Sequence, residues 1–128
     1  IFNEDMIYAG TIIKAGGRIA YCADAQVVHS HNYSALQQFH RNFDLAVSQT
    51  MHPEIFGGIR SESEGIRLVK RSLSYCIKIR KPWLMIQVVT QSAGKLLGYK
   101  LGQRYERLPR KLILACTMNR EFWDKEEL

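Results

Sequence analysis

The chain has 128 residues, 46% of them hydrophobic, and a formal charge of +6 at neutral pH. That is enough apolar material for one domain with a core, and no apolar run is long enough to cross a bilayer. Its three cysteines, Cys22, Cys76 and Cys116, fit neither a disulfide framework nor a zinc spacing, which points to a reducing compartment and three buried thiols.

In chain order, Met6, Ile7, Ala9, Ile12 and Ile13 recur at helical spacing, so residues 4–15 are expected to form an amphipathic helix. Asn3 suits its N-cap, Glu4 and Asp5 complement the dipole in its first turn, and Gly16-Gly17 ends it. Two short strands are expected at 18–22 and 26–29, around an Ala23-Asp24-Ala25 turn. Ser34 then caps a second helix that runs to about Met51, before the breakers Pro53 and Gly57-Gly58. A third helix opens on a capping box, Ser61 with Glu64, and stops before Pro82. Pro82 starts a fourth, from Trp83 to about Arg107, in which Gly94, Gly98 and Gly102 recur every fourth residue and offer a smooth face to another helix. A short helix follows Pro109.

The charge is uneven. Residues 60–111 hold thirteen cations against three acids, an excess of +10. This half is expected to meet something anionic, such as lipid headgroups, nucleic acid or a diphosphate, unless it is a solvated helix face. No RNP motif or zinc finger supports nucleic acid, and no stretch reads as a phosphate-binding glycine loop or a signal peptide.

Some residues carry chemistry. A carboxylate in a partly desolvated cleft can act as a general base, although paired acids in a first helical turn often serve only the dipole. His29 and His31 alternate onto one face of the expected strand and could share a metal ion, or simply hydrogen-bond at the strand end. Arg41 could grip a diphosphate through its guanidinium fork, or lie exposed on its helix.

The ordered series Glu4-Asp5, Gly16-Gly17-Arg18-Ile19-Ala20-Tyr21 and Val27-Val28-His29-Ser30-His31-Asn32-Tyr33-Ser34 resembles the second half of the catalytic domain of glycosyltransferase family 2, the inverting enzymes of the GT-A fold. Within it, the chain looks most like bacterial rhamnosyltransferases of surface polysaccharide synthesis. The likeness continues through Leu97-Gly98-Tyr99-Lys100-Leu101-Gly102, Tyr105, Leu108-Pro109, Met118-Asn119 and Phe122-Trp123.

The resemblance implies an α/β fragment, residues 1–58, forming the C-terminal portion of a GT-A domain. A basic, mainly α-helical tail follows at 59–128, and the whole is predominantly helical. It makes Asp5 the general base with Glu4 beside it, and His29 a ligand of a divalent metal, Mg or Mn. It puts Gln38, Arg41 and His31 at the acceptor and diphosphate. Processive members carry Gln-x-x-Arg-Trp. Gln38 and Arg41 match its first and fourth places, but Asn42 replaces the Trp, which argues against processive synthesis.

The implied partners are a nucleotide-sugar donor, with rhamnose a candidate sugar, and a glycan or lipid-linked acceptor. The implied place is the cytoplasmic face of the plasma membrane, peripherally bound, with self-association left open. Because the chain begins at Ile1 rather than Met, just ahead of the acidic pair, a fragment lacking its nucleotide-binding half is expected. The competing class is a non-catalytic basic helical module that docks on membrane or nucleic acid. The two differ at Asp5: an enzyme needs it in a cleft beside His29, and a binding module leaves it exposed.

Overall fold

A computed structural model describes residues 2–28, 32–58 and 62–125. Among these residues seven helices form: α1 (Glu4–Lys14), α2 (Ala35–Met51), α3 (Pro53–Phe56), α4 (Glu62–Lys78), α5 (Leu84–Gly102), α6 (Arg110–Cys116) and α7 (Arg120–Lys125). A 3-10 turn, Tyr105–Arg107, lies between α5 and α6.

α2 is the axis of the fold. A complete capping box starts it: the Ser34 hydroxyl accepts from the Gln37 N–H at 3.2 Å, and the Gln37 side chain accepts from the Ser34 N–H at 2.9 Å. Its fully buried Phe43 and Val47 cluster with Tyr105, Ile113, Cys116 and Trp123 from the far end of the chain. The Trp123 ring meets Tyr105 at 5.8 Å and Phe122 edge-on at 5.4 Å between centroids. The core therefore joins residues on both sides of Gly58.

α5 packs on α2 through its three glycines. A Cβ added at Gly94 would stand 2.6 Å from the Ala35 carbonyl oxygen, and one at Gly98 or Gly102 would overlap the carbonyl of Phe39 or Phe43. The two backbones can approach this closely only where no side chain intervenes, a spacing that also suits Cα–H···O contacts. Both sets advance together, Ala35, Phe39 and Phe43 against Gly94, Gly98 and Gly102, so α2 and α5 run parallel. Parallel neighbours need a long return connection, and α4 provides it, packing beside α5 as a hairpin. Tyr99 adds a hydrogen bond from its hydroxyl to Gln49 Oε1 of α2, 3.0 Å.

Several expectations need correction. Among the described residues no strand forms. Residues 18–22 and 26–28 are exposed and irregular, with Tyr21 94% and Val27 86% accessible. A strand is stable only with a ladder partner, and no described segment offers one. Asn3 does not cap α1 with its side chain. Its backbone is left-handed, at φ 66°, and its amide donates instead to the Leu45 carbonyl of α2 at 3.2 Å. Cys22 is exposed, whereas Cys76 and Cys116 are buried. The fourth expected helix ends at Gly102 instead of Arg107, and two short helices rather than one follow Pro109. The expected Ser61 cap lies outside the described residues.

Candidate functional site

The site builds outward from the start of α1. Glu4 and Asp5 occupy its first turn, and both are exposed. The Asp5 carboxylate accepts from the adjacent Met6 N–H at 2.8 Å. α1 itself buries no residue. Two hydrogen bonds just ahead of the acidic pair hold it to α2: the Ser48 hydroxyl donates to the Phe2 carbonyl at 2.6 Å, and Asn3 donates to Leu45 as above. At its other end Gly10 lets α1 rest on Ile55 of α3, since a Cβ there would come within 2.9 Å of the Ile55 side chain.

Arg41 lies on the same face of α2 as Leu45 and Ser48, one and two turns earlier. Its guanidinium carbon is 5.3 Å from the centre of the Phe2 ring and 5.5 Å from that of Tyr33. Nη1 also donates to the Tyr33 hydroxyl at 3.4 Å. Contacts of this kind suit a half-buried guanidinium, whose weak hydration makes stacking on aromatic rings favourable. The structure thus brings Arg41 to the segment that carries Glu4 and Asp5. Gln38, half-buried one turn earlier, accepts at its backbone carbonyl from the Asn42 amide at 2.8 Å. His29 and His31 lie outside the described residues.

A second polar group on α2 had no signal in the sequence. Asp44 is fully buried, and its carboxylate accepts from the Thr117 hydroxyl at 2.6 Å and from the Met118 N–H at 2.8 Å. Burial pushes its pKa above the ordinary 3.8, while the Thr117 and backbone hydrogen bonds oppose the rise. One turn earlier, His40 Nδ1 lies 2.7 Å from the Cys116 carbonyl, so that nitrogen carries the hydrogen. Together His40 and Asp44 fix the corner between α6 and α7, where Asn119 Oδ1 caps α7 by accepting from the Phe122 N–H at 3.3 Å.

Two concavities lie away from the acidic pair and Arg41. One, of about 360 Å³, is lined by Tyr105, Glu106, Leu108, Arg110 and Ile113; another lies along α4. Among the described residues no group of three or more His, Cys, Asp or Glu stands close enough to hold a metal ion. No helix among them is long and apolar enough to cross a membrane.

The chain is similar to proteins named as O-antigen chain rhamnosyltransferases. Over 127 residues, 97% of this chain, it is 40% identical to the O-antigen chain rhamnosyltransferase WbaN of Salmonella anatum. Over the same length it is 39% identical to the O-antigen chain rhamnosyltransferase RfbN of Salmonella typhimurium. The chain spans only about two fifths of the length of these relatives, 39% and 40%. No family model and no solved structure matches it.

Proposed function

We propose that this chain is the acceptor-side portion of an inverting glycosyltransferase of family 2, with an α/β GT-A domain. The enzyme transfers a sugar, rhamnose by the relatives' names, from a nucleotide-diphosphate donor to a growing O-antigen glycan on a lipid carrier. The supporting observation is the likeness to two rhamnosyltransferases along 97% of the chain. In this reading the remainder of the relatives' length corresponds to the donor-binding half. The irregular segments at 18–22 and 26–28 would join a sheet with that half, which would supply the missing ladder.

The step assigned to this chain is proton transfer. As the acceptor hydroxyl oxygen attacks the anomeric carbon, the Asp5 carboxylate takes its proton. The bond from that carbon to the diphosphate breaks, the diphosphate leaves with the electron pair, and the configuration inverts. Glu4 orients the acceptor. Gln38 and His31 contact acceptor or diphosphate, and Arg41 neutralises leaving-group charge. A divalent metal, Mg or Mn, bound through His29, belongs to the same reading. The described residues form no site for one, so no step is routed through it. The enzyme would work peripherally at the cytoplasmic face of the membrane.

In the full-length enzyme, Asp5→Asn should lower turnover on the order of 100-fold or more while donor binding survives. Wild-type turnover would overturn the assignment. One observation favours the non-catalytic alternative: Asp5 is exposed and lines neither of the two concavities above. A full-length protein that binds nucleotide sugar normally yet transfers none, with or without Asp5, would support it.

A further inference from the structure

The corner between α4 and α5 is built around a cation in an unfavourable conformation. α4 ends in a Schellman motif: the Arg80 N–H donates to the Ile77 carbonyl and the Lys81 N–H to the Cys76 carbonyl, both at 3.0 Å. The residue this motif places in the left-handed region is Arg80, at φ 56°. Glycine fills that position at least cost, so a long cationic side chain there runs against local preference. Arg80 nevertheless holds this position, with its side chain exposed.

The surroundings indicate a use for that side chain. Lys78 and Lys81 flank Arg80, and all three are exposed. Interleaved with them are exposed apolar groups: Ile77, Trp83 at 62% and Ile86 at 70% accessible. α4 turns the half-buried Val69, Ser72 and Leu73 and the buried Cys76 to its other side, which leaves these apolar groups on the face that carries the cations. Cations around a tryptophan at an exposed turn match an anionic bilayer surface, where the ring enters the headgroup layer and the cations meet phosphate. No helix among the described residues is long and apolar enough to cross a membrane.

We propose that the α4–α5 corner, through Lys78, Arg80, Lys81 and Trp83, is the contact of this protein with an anionic lipid surface. This deepens the peripheral-membrane part of the reading above. Its test measures lipid binding and not sugar transfer, so failure of either leaves the other standing.

The two tryptophans make the test direct, because Trp123 is 1% exposed and already in an apolar setting. At low salt, vesicles containing phosphatidylglycerol should sediment the chain and shift its emission to the blue, and pure phosphatidylcholine vesicles should do much less. Trp83→Phe should abolish the shift while the chain still sediments. Arg80→Gly with Lys81→Gln removes two cations and relieves the left-handed residue. It should weaken binding on the order of 30-fold, about five-fold per charge, with an unfolding midpoint no lower than wild type. Four results would overturn the proposal: no sedimentation with anionic vesicles, undiminished binding by the double variant, equal binding to neutral lipid, or tight binding of duplex DNA or RNA lost in the same variant. A dimer that dissociates in the double variant would overturn it too.

Discussion

Gly98→Ala tests the packing that organises the molecule. The added methyl would overlap the Phe39 carbonyl oxygen and stand 3.1 Å from the Phe43 nitrogen, both backbone atoms of the central helix α2. Neither can swing aside as a side chain would. An ordinary carbon–oxygen approach is about 3.3–3.6 Å, so α5 must lift from α2 along this stretch. A gap of 0.5–1 Å already forfeits about a quarter to a half of each dispersion contact lining it. Overpacking of this kind costs about 1–3 kcal/mol. The upper end applies here, offset by about 1 kcal/mol of gained helix propensity. The expected net loss is about 2 kcal/mol. Gly65→Ala is the control. Gly65 lies in α4 with nothing within 4 Å of an added Cβ, so only the propensity gain of up to about 1 kcal/mol remains. Urea unfolding followed by far-UV circular dichroism and by Trp123 emission measures both. If Gly98→Ala is as stable as wild type, or shifts the midpoint as Gly65→Ala does, the close parallel contact of α2 and α5 is wrong.

Asp44→Ala should cost about 1–3 kcal/mol, because the Thr117 hydroxyl and Met118 N–H lose their buried acceptor; equilibrium unfolding at neutral pH checks it. The raised pKa of Asp44 means that the folded form holds this proton more tightly than the unfolded form. Its contribution to stability therefore falls as pH rises from about 3.8 through the higher folded value, and Asp44→Asn should remove that slope from a stability–pH profile. Thiol labelling of the native chain should modify Cys22 alone, which is exposed; Cys116, buried and with its thiol pushed up by burial and by Asp44, should react only on unfolding.

What the sequence disclosed was local. The glycine period in α5 and the Ser34 cap are one-dimensional signals, and the structure contains both. The acidic pair is at the start of α1, as its spacing predicts. The strands expected at 18–22 and 26–29 show the opposite case: residues 18–22 and 26–28 are irregular, because a ladder needs a second chain segment. Arg41 was legible as a cation on a helix. Its aromatic partners were not, because Phe2 and Tyr33 reach it only through the path of the chain. Asp44 reads as one more polar helix residue, and its burial depends on Thr117, 73 positions away. His29 and His31, the expected metal and diphosphate contacts, lie outside the described residues.

The parallel contact of α2 and α5 also sets the order in which the molecule can assemble. Residue 35 meets residue 94 and residue 43 meets residue 102, so nothing between them can close the contact early. Trp123, which completes the cluster around Phe43, comes later still. Contacts of such long sequence separation must first overcome loop-closure entropy, and they slow folding relative to a bundle of sequential hairpins. During synthesis α2 therefore emerges well before the surface that will cover it. Until then its Phe39, Phe43 and Val47, which the folded core covers, remain open to water.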